Sequence, residues 1–159
     1  MALMQSRSAK SFLSRYLPLV LWIGFISFAS SDTFSAANTS RIIGPLVLWL
    51  FPNTSIQTLD TIHFITRKLA HFTEYGILGF LAARAFRTSA LRLLSEHWLI
   101  ISFALVAIYA LLDEYHQSCV PSRTPSIVDS FIDMAGGLTV LLIVSWRQNR
   151  LIHASNSAN

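Results

Sequence analysis

The sequence predicts an all-α, polytopic membrane protein: a bundle of four transmembrane helices, with a short interfacial segment between the first and the second. Three observations carry that reading. Apolar residues make up 53% of the 159 residues and charged residues only 13%, against about 25% charged in an average soluble domain. Mean hydropathy is +0.51. The apolar residues fall into four blocks, and basic residues stand at the block ends. So few charges cannot clothe a water-soluble surface on so small a chain. That excludes a disordered chain, a nucleic-acid-binding module and most soluble enzymes. The net charge of +4 then reads as membrane topology and not as affinity for nucleic acid. Residues 1–159 read as a single domain without internal repeat. The lone cysteine, Cys119, excludes an internal disulfide and a Cys-rich metal site.

A bilayer core takes about 20 apolar residues as helix. The first block, about 12–30, is long enough. Arg7, Lys10 and Arg15 precede it, and Ser35-Ala36-Ala37 resembles a signal-peptidase site. A cleaved signal peptide is the competing reading, but the run extends to spanning length, which favours a retained helix. A shorter run at 43–51, punctuated by Pro45 and followed by Pro52, cannot span. It reads as a segment on the interface, with Trp49 as its anchor. The second span, about 69–86, has the length but carries His71, Glu74 and Arg84. The third, about 98–114, is short and recruits its flanks. The fourth, about 127–146, is long enough. Within lipid each must be a helix, because only a helix satisfies its own backbone.

Lys and Arg set the orientation. Arg7, Lys10, Arg15, Arg84, Arg87, Arg92, Arg147 and Arg150, eight of the twelve basic residues, fall on one side of a chain that crosses four times. The positive-inside rule makes that side cytoplasmic, so both termini are expected in the cytoplasm. Arg84, Arg87, Arg92, Arg147 and Arg150 read as topology signals and anionic-lipid contacts. Arg41, Arg67, Lys68 and Arg123 fall on the other side.

The remaining ionisable residues gather there. The second span opens with Arg67, Lys68, His71, Glu74 and Tyr75. The third closes with Asp113, Glu114 and Gln117. The fourth is entered through Arg123 and Ser126 and carries Asp129 and Asp133. Antiparallel helices bring these three clusters to one membrane face, the external one. Lys68, His71 and Tyr75 share a helix face, and so do Asp129 and Asp133. Ser126 is placed to cap the fourth helix. Arg67 and Asp60 read as solvated flanks. Glu74, Asp129 and Asp133 lie within helices that otherwise face lipid, where an ionised carboxylate costs at least ~2.5 kcal/mol unless paired or wet. They read either as an interhelical ion pair, such as Asp129 with Arg123 or Lys68, or as a ligand site. Gly136-Gly137 reads as close helix packing, and His116 and Cys119 as plain loop residues.

An Arg and a Lys near a helix N-terminus suit a phosphate or carboxylate. Carboxylates with histidine suit a divalent metal or a proton relay. Nothing in the chain resembles a nucleophile elbow, a phosphate loop or a zinc-protease helix.

Lys68-x-x-His71-Phe72-x-Glu74-Tyr75-Gly76-x-Leu78-Gly79 resembles the second-span motif of the VanZ-like family. Asp113-Glu114-x-x-Gln117-x-x-x-Pro121-x-Arg123-x-Pro125-Ser126-x-x-Asp129 resembles its second motif. Phe28-Ala29-Ser30-Ser31 resembles the end of the first span in many members. The resemblance covers about 17–144. Two positions depart from it: members usually carry Asn where this chain has Asp133, and Gly where it has Ser122. The resemblance implies a small multi-span protein of the bacterial cell envelope, whose namesake is associated with resistance to the glycopeptide teicoplanin. The positions matching its motifs are Lys68, His71, Glu74, Tyr75, Asp113, Glu114, Gln117, Arg123, Ser126 and Asp129.

The expected function is therefore an inner-membrane protein whose outward-facing polar pocket binds an anionic envelope component and modulates teicoplanin susceptibility. Arg123 and Lys68 would hold the anion, oriented by Asp113, Glu114 and Asp129. Neutralising Arg123 is expected to remove ligand and leave the fold intact. The alternative is a membrane-embedded enzyme on a lipid-linked phosphate, working through a metal or by general acid and base. A proton-linked transporter using Glu74 or Asp133 ranks third, since four short spans show no repeat. Membrane lipids and a lipid-linked cell-wall precursor are the expected partners, and nucleic acid is not. No cofactor is expected beyond the divalent metal that the enzyme reading allows.

Overall fold

The computed structural model describes residues 2–31, 36–121, 123 and 125–157. Ser35 and Ser122 lie outside the described residues. The rest of the chain runs through α1 (Ala2–Ala29), α2 (Ala36–Leu50), α3 (Ile56–Arg87), α4 (Arg92–Glu96), α5 (Trp98–Ser118) and α6 (Ile127–Ser157). Three of these are long and apolar enough to cross a membrane, over Phe12–Ala29, Trp98–Ser118 and Ile127–Leu151. They coincide with the first, third and fourth expected spans.

The second expected span, 69–86, lies inside α3, which starts much earlier. At 1.5 Å per residue its 32 residues run about 48 Å, so length is not what α3 lacks. Arg67, Lys68, Glu74 and Arg84 dilute its apolar character. The early start has a local cause. Ser55 takes an extended backbone, and its Oγ accepts the Thr58 N–H at 3.2 Å, filling one of the four orphan donors of the first turn. Arg84 and Arg87 occupy the last turn, where cations complement the helix dipole. The run expected on the interface, 43–51, is the C-terminal part of α2. This 15-residue helix begins at Ala36 and continues through Pro45. It is too short to span, and Trp49 is 77% exposed at its end.

α3 is the central helix. It packs most extensively on α6, then on α5 and α1, and α2 lies against it. The α3–α6 crossing is made by small residues. Gly76 and Gly79 face Gly136 and Gly137, and a Cβ on Gly79 would stand 2.9 Å from the Gly137 carbonyl oxygen. Glycines let the two backbones touch, as the Gly136-Gly137 pair predicts. The apolar core joins Leu19 and Ile26 of α1, Tyr75, Leu78, Ala82 and Ala85 of α3, and Val106 and Ala110 of α5. The outside is apolar too, with Phe12, Leu21, Ile100 and Phe131 all exposed, whereas Asp113, Asp129 and Asp133 are buried. Charge inside and hydrocarbon outside is the distribution that a lipid solvent imposes.

α1 and α3 run antiparallel, and the contacts at their ends say so. Pro18 has no N–H to give the Ser14 carbonyl one turn back. Arg84 Nη2 donates to that carbonyl at 3.3 Å instead. Tyr16 donates to Ser89 Oγ at 2.8 Å nearby. Arg84, expected only as a topology signal, thus also ties the start of the α1 span to the end of α3. At the same end, Arg87 lies over the Trp98 ring, an arrangement suited to a membrane interface.

Candidate functional site

His63, Arg67, His71 and Glu74 follow one another at four, four and three residues along α3 and therefore form one stripe. That stripe borders a cavity of about 340 Å³, inside the range of about 300–1,000 Å³ typical of ligand pockets. Phe25 of α1, Ile43 of α2, and Phe64 and Ala70 of α3 supply apolar wall. Arg67, His71, Glu74, Gln117 and Arg123 supply polar wall. Arg67 Nη2 reaches Gln117 Oε1 at 3.5 Å, and its buried Nε makes no hydrogen bond. The buried His63 Nε2 makes none either.

A second layer lies behind this stripe, between α3, α5 and α6. Lys68 Nζ donates to Asp129 Oδ1 and stands 5.0 Å from the centroid of the Phe64 ring. The ion pair that the sequence allows between Asp129 and Lys68 is present. His71 Nδ1 lies 3.2 Å from Asp133 Oδ1, near enough for an ion pair but not aligned for a hydrogen bond. Neither Asp133 oxygen has a hydrogen-bond partner, and the side chain is fully buried. Asp113 Oδ2 accepts from Gln117 Nε2 at 3.0 Å. Gln117 thus links the carboxylate layer to Arg67 on the cavity wall.

The loop into α6 is fastened from both sides. Glu114 Oε2 accepts the Ser126 N–H at 2.6 Å, and the Ser126 carbonyl accepts the Asp129 N–H at 2.7 Å. Ser126 therefore opens the helix through its backbone. Arg123 Nη2 donates to the Ala29 carbonyl at 2.5 Å and to the Ser31 carbonyl at 2.8 Å, and Nε donates to the Ser31 carbonyl at 3.2 Å. These carbonyls close α1, where the last turn leaves acceptors without intrahelical donors.

This placement changes what Arg123 is expected to do. Neutralising it would orphan those carbonyls, so a loss of stability is expected alongside any loss of ligand. Leaving a buried acceptor unsatisfied costs about 1–3 kcal/mol, and Ser31 is only half-buried, so water replaces part of the loss and Arg123→Ala is expected to cost about 2–3 kcal/mol. Amide exchange at Ser30 and Ser31 should quicken. Arg123→Lys should recover little, because an ammonium lacks the planar fork that reaches two carbonyls. Unaltered melting and exchange in Arg123→Ala would refute that role.

Most of the expected site residues meet at this end of the bundle: Lys68, His71, Glu74, Asp113, Glu114, Gln117, Arg123, Ser126, Asp129 and Asp133. Tyr75 does not line the cavity. It is fully buried in the apolar core, with its hydroxyl 3.5 Å from the Tyr109 carbonyl oxygen. Two cavity residues escaped the sequence reading. Arg67 reads there as a solvated flank, and His63 draws no attention. Their spacing from His71 and Glu74 was the available signal. Nearby Trp22 Nε1 donates to the Glu74 carbonyl at 2.9 Å, holding α1 against the cavity's end of α3.

No curated protein and no solved structure matches the chain. The VanZ/LLP1 family model matches residues 15–148, a stretch that holds every residue of the two buried layers and of the cavity wall. The matched stretch covers most of the chain, which belongs to the VanZ/LLP1 family.

Proposed function

We propose that this chain is a four-span protein of the bacterial inner membrane whose outward-facing cavity binds an anionic, phosphate-bearing amphiphile of the cell envelope. α3 is the fourth span. Its charged stripe is turned inward by α1, α5 and α6, which removes the obstacle its composition presents to crossing lipid. α2 lies on the external interface, anchored by Trp49. Both termini are cytoplasmic, by the distribution of Lys and Arg.

The observation that carries the reading is the mixed wall of the cavity. Phe25, Ile43 and Phe64 suit an acyl or isoprenoid chain. Arg67, with an unused buried Nε, suits a phosphate. Lys68 is engaged by Asp129, and Arg123 by the end of α1. Arg67 is therefore the cation with a donor to give. A lipid-linked cell-wall precursor has this chemistry and this location, and through it the protein would modulate teicoplanin susceptibility.

Native mass spectrometry of the purified chain tests the reading. Wild type is expected to retain an anionic lipid. Arg67→Gln is expected to retain roughly ten- to a hundredfold less, the equivalent of one charge-assisted hydrogen bond. Equal retention by both proteins, or none by wild type, would overturn it. A topology reporter fused after Cys119 should report from outside the cytoplasm. A cytoplasmic signal there would invert the orientation.

One observation favours a second reading, an enzyme acting on the same lipid-linked phosphate. His71 lines the cavity while its Nδ1 faces the buried Asp133 carboxylate at 3.2 Å. A carboxylate beside an imidazole stabilises the imidazolium that forms when the ring takes up a proton as general base. Release of phosphate from the bound lipid, abolished in His71→Gln, would favour this reading over simple binding.

A further inference from the structure

We propose that His71, Asp113 and Asp133 form a binding site for one divalent first-row transition cation such as zinc or manganese. Each ligand comes from a different helix: α3, α5 and α6. One donor atom from each side chain lies within 4.8 Å of the other two, and all three residues are buried. Ligand atoms at about 2.1 Å from a shared ion stand about 3–4 Å apart, so an approach of about 1 Å closes the set. The pair His71 Nδ1 and Asp133 Oδ1, at 3.2 Å, already has that separation.

The independent observation is Asp133. Its side chain is fully buried, and neither oxygen makes a hydrogen bond. A carboxylate buried without hydrogen bonds is among the most costly groups a protein can hold, and metal coordination is one of the few ways it is compensated. His71 Nδ1 is equally without a hydrogen bond. Asp113, by contrast, has one oxygen held by Gln117 Nε2. A ligating carboxylate is commonly oriented by such a neighbour.

The donor set narrows the choice of ion. One imidazole with two carboxylates is a borderline-to-hard donor set, suited to zinc or manganese and poor for copper(I). His71 lies on the cavity wall, so an ion enters from that side without crossing the apolar core.

This site requires no lipid, and its test uses metal alone. The full chain is stripped with chelator and reconstituted in nanodiscs of phosphatidylcholine, which adds no anionic lipid. It is then loaded with zinc chloride and desalted. Elemental analysis should find about one zinc per chain, as three protein ligands imply. Loss of an orienting neighbour alone weakens a site about 10–100-fold, so Asp133→Asn, which replaces an anionic ligand by a neutral amide, should bind at least about tenfold more weakly. A second measurement does not depend on that variant folding. Pulsed electron paramagnetic resonance of the manganese-loaded wild type should show coupling to one imidazole nitrogen. Zinc held equally by wild type and Asp133→Asn, no zinc in the wild type, or manganese without nitrogen coupling would each overturn the proposal. Lipid retention through Arg67 is scored separately, so either idea can fail alone.

Discussion

Gly136→Ala is expected to destabilise the protein by about 3 kcal/mol, the upper part of the range for overpacking a tight contact. A Cβ at this position would be driven into the Phe72 carbonyl oxygen. That obstacle is backbone and cannot rotate away, so α3 and α6 must part along their whole crossing. The neighbouring glycines grade the effect. At Gly79 the nearest obstacle is also backbone, the Gly137 carbonyl oxygen at 2.9 Å. At Gly137 it is Val106 Cγ1 at 2.5 Å, a side chain and not backbone, although Val106 is buried and stiff at χ1. Gly24 and Gly44 meet nothing within 4 Å, so alanine there should be neutral or gain up to about 1 kcal/mol of helix propensity. Thermal unfolding of this series in one detergent measures the order directly. Co-melting of Gly136→Ala with wild type would mean that the crossing relaxes far more easily than its geometry implies. The consequence reaches the site, because Phe72 follows His71 and Gly136 stands three residues after Asp133. The same wedge that parts the helices also separates the imidazole from its carboxylate.

The helices were legible in the sequence where apolar periodicity or length decided them. The blocks 12–30, 98–114 and 127–146 emerge as spans because hydrocarbon length is a coarse requirement and these runs meet it. α3 was legible only in part. Its first turns, through Gln57, Asp60 and Thr61, are too polar to read as a span, and the Ser55 cap that starts them is a short local signal. The converging carboxylates were legible because topology alone brings the ends of antiparallel helices together. Their partners were less so. Arg123 bonds to main-chain carbonyls at the end of α1, and every residue has a carbonyl, so no residue type marks its target. Tyr75 was grouped with the polar site because it shares a helix face with Lys68 and His71, yet it lies one turn further along that face, where Val106 and Ala110 make the core. Arg67 was dismissed because a cation at a span end is usually solvated. The stripe from His63 to Glu74 contradicts that, and two of its residues, His63 and Arg67, lie in no motif.

Lys68→Met is expected to cost about 3 kcal/mol, the low end for stranding a buried charge. Asp129 is 2% exposed, and removing Lys68 leaves its buried carboxylate without its cation. The low end applies because the Lys68 side chain keeps 20% of its surface accessible, and water reaching that ammonium weakens the pair. Asp129→Asn should cost less, since the stranded ammonium can swing outward toward water on its flexible stem. The double variant Lys68→Met/Asp129→Asn should recover most of the loss. Its interaction energy should fall at about 1–3 kcal/mol, as for residues that share one ion pair. Chemical unfolding of the four proteins of this cycle gives the number. A coupling below about 0.5 kcal/mol would place the pair among solvated surface contacts and would require water around Asp129. A large coupling has a structural meaning. Lys68 and Asp129 join α3 to α6 one turn before His71 and Asp133, so the pair sets the spacing of the two helices where the buried Asp133 carboxylate begins. The glycines fix how closely those helices can approach, and the ion pair fixes their register at the open end. Between these two constraints the His71–Asp133 separation has little freedom left.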